Sequence, residues 1–326
     1  TRTDSSAASD VYKRTGTRSI LEGITFKYNP TQIFLITSND EIKKIKSVSS
    51  NWKIKNIEFI DENNFFTDKY GLNKENIIDK INNNKPNYAP GWLYQQMIKL
   101  GSPDVIDKLR ETFVVWDSDL LPVNSWPLVD NGKEKFALLQ DNSSGNPEII
   151  NLWRKFIVEV LKIEPVVDEF STFTSHHMIF KRIYLKSLKK QIQNHFKSDQ
   201  NWIELIIKAA NIYGSMGEYW MYSSWVNHIN KSDLNYYPYN KYGSTTERFY
   251  DDGNGIFSKK LKIFLNHDEN TNFFPSYLSI IKFLESLYSN LPSSLSFETN
   301  PRHIKKKESV AHVEEKRSRW RFKPSK

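Results

Sequence analysis

The sequence predicts an α/β domain with a mostly parallel central sheet flanked by helices. Two observations lead there. Over residues 31–101 short apolar runs alternate with helical patterns, the signature of β-α-β units and a parallel sheet. The second is the run Phe113-Val-Val-Trp-Asp-Ser-Asp-Leu-Leu-Pro122. Its first half has the length and the β-branched or aromatic content of a fully buried strand. A buried strand that stops at Asp117 delivers carboxylates to the sheet edge, where α/β folds keep their ligand crevice.

The elements follow in order. Residues 1–23 are small, polar and aperiodic, which predicts a disordered N-terminal segment. Thr31-Gln-Ile-Phe-Leu-Ile-Thr37 is a short strand that breaks at Thr37-Ser38, followed by a helix over 40–48 and a second strand over 54–60. In Gly91-Trp-Leu-Tyr-Gln-Gln-Met-Ile-Lys-Leu-Gly101, residues Leu93, Met97 and Leu100 share one helical face and Gly101 is the expected stop. The strand over 113–116 comes next. Later expectations are strands over 136–139, 173–180 and 262–265 and helices over 149–161, 183–195, 202–213, from 220, and over 277–288. Residues 230–257, rich in Tyr, Asn and Gly, read as long loop. The resulting division is a disordered segment 1–23, one domain over 24–295 and a basic tail over 296–326.

Composition narrows the function. The chain has no cysteine, which excludes disulfides, thiolate metal sites and cysteine nucleophiles. It has neither an apolar stretch long enough to span a bilayer nor a signal-type start, so a cytoplasmic location is expected, with a lumenal one left open. The formal net charge of +8 is concentrated at one end: from Pro292 onward ten Lys/Arg stand against four Glu. A nucleic-acid-binding domain spreads its basic residues over a folded face, so no nucleic-acid partner is expected. The tail, with Trp320 and Phe322 among its basic residues, is either a solvated end or a contact for an anionic membrane surface or a protein.

The Asp-x-Asp triplet is weak alone, because roughly one such triplet is expected by chance in a chain of this composition. Its bland reading is a polar turn after a strand. Its functional reading is that residues i and i+2 of an extended segment project to one side, so that Asp117 and Asp119 converge on Mn²⁺ or Mg²⁺, hard ions that bridge to phosphates.

Four blocks in order, Gly91-Trp-Leu-Tyr-Gln-Gln-Met-Ile-Lys-Leu, Val114-Val-Trp-Asp-Ser-Asp-Leu-Leu-Pro, Phe173-Thr-Ser-His-His-Met-Ile-Phe and Gly217-Glu-Tyr-Trp-Met-Tyr, resemble GT-A-type glycosyltransferases, whose fold is Rossmann-like. The similarity is to a poorly characterised group of bacterial and viral sugar-nucleotide transferases. It implies a UDP- or GDP-linked sugar donor, a divalent cation and a hydroxyl acceptor on a glycan or glycoprotein. One departure is Trp116, where many relatives carry a smaller residue before the Asp-x-Asp.

The resemblance also implies site roles. Asp119 holds the cation, with Asp117 on the metal or the ribose. A third ligand, commonly His, comes from later in the domain: His267, with His303 as rival. Thr37, Ser38 and Asn39 end the first strand, where this fold places the nucleoside; capping of the next helix is the plain alternative. Tyr94 and Gln95 either line the donor pocket or belong to the helix surface. His176 and His177, on consecutive strand positions, point to opposite faces, so one of them is expected to hydrogen-bond substrate. Glu218 is the candidate general base, with Asp168 or Glu169 behind it; its alternative is a charge offsetting a helix dipole. Competing classes are another Mg²⁺-dependent nucleotidyl- or phosphate-handling enzyme, and a non-catalytic binding protein acting through its tail.

Overall fold

The computed structural model describes residues 5–83, 89–125, 128–140, 147–166, 171–173, 176–238, 246–250, 276–286, 291 and 294–298. Helix α1 (Ser5–Tyr28) leads into strand β1 (Ile33–Thr37), α2 (Asn39–Val48), β2 (Ile57–Asp61), α3 (Thr67–Tyr70), α4 (Lys74–Asn82) and α5 (Pro90–Val105). There follow β3 (Thr112–Trp116), β4 (Leu120–Pro122), β5 (Val129–Asp130), β6 (Lys133–Gln140) and α6 (Pro147–Phe156). Next are β7 (Ser171–Thr172), β8 (His177–Lys181), α7 (Arg182–Phe196), α8 (Trp202–Tyr213), α9 (Glu218–Asn230), β9 (Leu234–Pro238) and β10 (Thr246–Tyr250). The last two described elements are α10 (Tyr277–Glu285) and β11 (Ser294–Glu298).

The α/β class stands, but the described strands form several small sheets of mixed direction. β1 pairs β2 in parallel, β3 pairs β8 antiparallel, β6 pairs β9 in parallel and β7 antiparallel, and β11 lies between β10 and β4. The β1-α2-β2 unit is as expected: Ser38 caps α2, its hydroxyl accepting from the Glu41 amide, with Asp40 and Glu41 in the first turn. Strand β3 is not fully buried. Val114 is 39% exposed, because β3 has a ladder partner on one side only among the described residues and turns just one face to the core. β9 and β10 lie within the stretch read as loop.

One large core gathers Phe66, the α4 and α5 faces, Phe136, Phe180 and the apolar sides of α7, α8 and α9. Helix α5 is central to it. Gly101 does not stop this helix, which runs on to Val105. A Cβ there would come within 2.5 Å of the Phe66 ring and 3.1 Å of Trp202, so the glycine serves close packing rather than termination. Arg182 closes the far end of α5, donating to the carbonyls of Pro103, Ile106 and Leu109 at 2.7, 2.8 and 2.6 Å. The Pro103 and Ile106 carbonyls belong to the helix C-terminus, whose last acceptors lack intrahelical partners and where a cation is favoured, and Leu109 lies in the turn that follows.

Within residues 1–23, expected to be disordered, helix α1 begins at Ser5. Ile20 and Leu21, adjacent on α1, enter two separate satellite cores, one with Leu121, Val123, Tyr277, Ile280 and Leu284, the other with Ile45 and Trp52. Successive helical residues point about 100° apart, so one turn of α1 joins two packing units. Buried Glu22 ties them together: it accepts from Arg18 at 2.9 Å, from the Lys53 amide at 3.1 Å and from the Tyr277 amide at 2.8 Å. Residues 19–23 are buried, a run too short to show a helical period in the sequence. At the other end, β11 runs across position 296, so the boundary expected there falls within a strand.

Candidate metal centre

Strand register builds this site. In the antiparallel β3–β8 ladder Thr112 faces Lys181 and Trp116 faces His177. One step further Asp117 lies opposite His176, and the Asp117 amide donates to the His176 carbonyl at 2.8 Å. Thus residues far apart in sequence meet because two strands end together. His176 has φ of 60°, a left-handed conformation that is uncommon outside glycine and recurs at functional sites.

The Asp-x-Asp segment is not extended. The Leu120 amide donates to the Asp117 carbonyl at 3.1 Å, closing a turn over residues 117–120. The Trp116 indole N–H donates to the Leu120 carbonyl at 2.7 Å and fastens it. Convergence of the two carboxylates therefore comes from a clipped turn, not from alternation along a strand. Trp116, the departure from the resembled pattern, shapes this turn.

One ligand atom from each of Asp117, Asp119 and His176 lies within 4.8 Å of the other two. His176 Nδ1 is 3.4 Å from Asp117 Oδ2 and 3.8 Å from Asp119 Oδ1. Two ligands on one ion, each at about 2.1 Å, sit about 3 Å apart at right angles, so these separations are close to what a shared cation requires. Two carboxylate oxygens and an imidazole suit a borderline-hard divalent ion such as Mn²⁺. The donor set fits.

Lys99 Nζ lies 2.6 Å from Asp117 Oδ1 and 2.6 Å from Glu218 Oε1. The ammonium also reaches the Tyr219 hydroxyl at 3.3 Å, and that hydroxyl donates to Asp117 Oδ1 at 3.1 Å. Asp117 thus has one oxygen held from behind and the other beside His176. Burial raises the proton affinity of the Asp117 carboxyl, but the Lys99 charge, with His176, outweighs it and holds the group well below the usual carboxylate range. Burial likewise works against the Lys99 ammonium, and Asp117 with Glu218 holds it charged, well above the ordinary lysine value.

The other expected residues divide. His177 is buried and stacks on Trp116, ring centroids 4.9 Å apart, and is not among the three converging ligand residues. Glu218 is buried at the first position of α9, where its charge suits the helix N-terminus and meets Lys99. Thr37, Ser38 and Asn39 lie together at the ends of β1 and β2. There Asn39 donates to Asp61 at 2.9 Å, but no described ladder joins this pair to β3. Tyr94 is buried with its hydroxyl on the Glu62 carbonyl, and Gln95 is exposed on α5. Asp168, Glu169, His267, His303, the strand over 262–265 and most of the tail lie outside the described residues.

Sequence reading missed Lys99, Tyr219 and Asp61. A signal for Lys99 was available: it is the only basic residue of α5, two positions from Met97 and next to Leu100 on the apolar face, and a largely buried lysine needs an acidic partner.

A family model matches residues 21–275, and the chain belongs to that family, described as a family of unknown function, DUF6492. No curated protein matches the sequence. Among solved structures, mouse xyloside xylosyltransferase 1 in its apo form is similar at 10% identity and a TM-score of 0.42. That similarity covers 89% of this chain and 92% of that one. At that score the likeness carries no argument about activity. Among the described residues, no helix is long and apolar enough to cross a membrane.

Proposed function

We propose that this chain is a GT-A-type glycosyltransferase that uses a divalent cation to move a sugar from a nucleoside-diphosphate donor to a hydroxyl acceptor. The observation that carries the reading is the meeting of Asp117 Oδ2, Asp119 Oδ1 and His176 Nδ1 at the end of β3. It joins two of the four sequence blocks, and Glu218 and Lys99 bring in the other two. Asp117, Asp119 and His176 hold the cation, with His176 in the role that the resemblance gave to a later histidine. A bound Mn²⁺ or Mg²⁺ supplies Lewis-acid stabilisation of the diphosphate leaving group.

The chain's own residues orient that chemistry. The Trp116 clip and the β3–β8 register fix the two carboxylates before any ligand arrives, the preorganisation on which electrostatic stabilisation depends. We assign the nucleoside to the ends of β1 and β2, with Thr37, Ser38 and Asn39 beside Asp61. The donor is UDP- or GDP-linked, and the acceptor is a glycan or glycoprotein hydroxyl. Incubating the full chain with each nucleotide sugar and Mn²⁺ tests this. The expected result is cation-dependent release of the nucleoside diphosphate from one donor, lost in Asp119→Ala. No turnover and no binding across UDP- and GDP-sugars would overturn it.

A further inference from the structure

The contacts of Lys99 raise a question of charge. A lysine hydrogen-bonded to a metal-binding carboxylate competes with the metal, because the ammonium withdraws electron density and repels a cation a few ångströms away. Yet Lys99 does not face Asp117 alone. Its second ion pair, to Glu218 at 2.6 Å, equals the first in length. Glu218 is itself 6% exposed, and Tyr219, next in sequence, is 3% exposed, so both side chains are fixed by packing.

Resting on the cation-site reading above, we propose that Lys99, Glu218 and Tyr219 form a positioning clamp with divided labour. Lys99 and Tyr219 fix the Asp117 carboxylate with Oδ1 turned back and Oδ2 presented to the cation, while Glu218 cancels the charge that Lys99 introduces. Asp117, Asp119, Glu218, Lys99 and neutral His176 carry a net −2 between them, which matches a divalent ion. Without Glu218 the same set carries −1 and the ammonium falls wholly to Asp117. Outer partners of this kind commonly alter metal affinity 10- to 100-fold.

The distinguishing prediction is a rescue. Mn²⁺ binding to the full chain is followed by the paramagnetic resonance of free Mn²⁺, at a temperature where circular dichroism shows every variant folded. Glu218→Gln weakens Mn²⁺ binding by about tenfold or more. The double variant Lys99→Met with Glu218→Gln, which again leaves a net −2 but also loses the Lys99 contact to Asp117, binds Mn²⁺ at least about threefold more tightly than Glu218→Gln alone. Tyr219→Phe, which changes no charge, weakens binding about three- to tenfold through loss of one orienting hydrogen bond. A double variant as weak as Glu218→Gln overturns charge compensation, and an unaffected Tyr219→Phe overturns the orienting part. Unchanged Mn²⁺ affinity in all three variants removes the clamp and leaves the cation site standing. Absence of Mn²⁺ binding in the original chain removes both.

Discussion

Helix α5 carries two charged residues, Lys99 and Asp104, and each anchors a partly buried polar knot; the two knots differ in their balance of charge. Asp104 accepts from Lys189 at 2.6 Å, from the Tyr70 hydroxyl at 2.8 Å and from the Trp202 indole at 3.0 Å. In that set one carboxylate meets one ammonium and two neutral donors, and the charges close. Around Lys99, three carboxylates, one ammonium and one imidazole leave an excess of negative charge. The lysines register the difference. At Lys189 burial, joined by the nearby Arg182 charge, outweighs the single Asp104 carboxylate and lowers the pKa, whereas at Lys99 Asp117 and Glu218, with Tyr219, overcome burial and raise it. A balanced knot staples helices. An unbalanced one next to a clipped turn is what the cation site proposed above requires.

The contrast is sharpest under exchange of Asp for Asn. Asp119→Asn is expected to weaken Mn²⁺ binding by about 100-fold or more while changing unfolding free energy by less than about 1 kcal/mol, since it removes one of several like charges. Asp104→Asn is expected to do the reverse. It leaves Lys189 buried beside a neutral group and costs about 3 kcal/mol in urea titration, with Mn²⁺ affinity within about twofold. If the two variants gave the same pattern, the division between the knots would be wrong.

Smaller effects refine it. Gly101→Ala presses a methyl into Phe66 and Trp202 beside the structural knot, and a destabilisation of about 2 kcal/mol is expected, with Mn²⁺ affinity unchanged. Trp116→Phe keeps most of the packing but removes the indole donor that fastens the 117–120 turn. Its expected cost is about 1 kcal/mol in stability together with a several-fold loss in Mn²⁺ affinity. A loss in stability alone would reduce Trp116 to a packing residue.

Much of this was legible in the sequence, for physical reasons that differ by element. Ser38 as a helix cap, α2, and the limits of α8 are set by local patterns of apolar spacing and capping. The acidic pair after β3 was visible too, though its geometry was misread. Extended alternation was the natural inference, whereas the backbone turns at Asp117. His176 as a partner of the pair could not be read locally. It follows from the register of β3 against β8, and no local pattern in either strand states that register. Lys99 was half legible, since a lysine beside the apolar face of a helix demands a partner, but which carboxylates answer depends on how α5 and α9 pack. Gly101 resembled a helix stop because its reason, the Phe66 ring, lies 35 residues upstream.

The central claim is that Asp117, Asp119 and His176 hold a divalent cation against a diphosphate. Its most direct measurement is calorimetric titration of Mn²⁺ into the full chain, alone and in the presence of UDP or GDP. The account predicts binding of one Mn²⁺ per chain, tightened by one of the nucleotides and abolished in the Asp119→Asn variant. Mn²⁺ binding that persists unchanged in that variant, or no binding with either nucleotide, would contradict it.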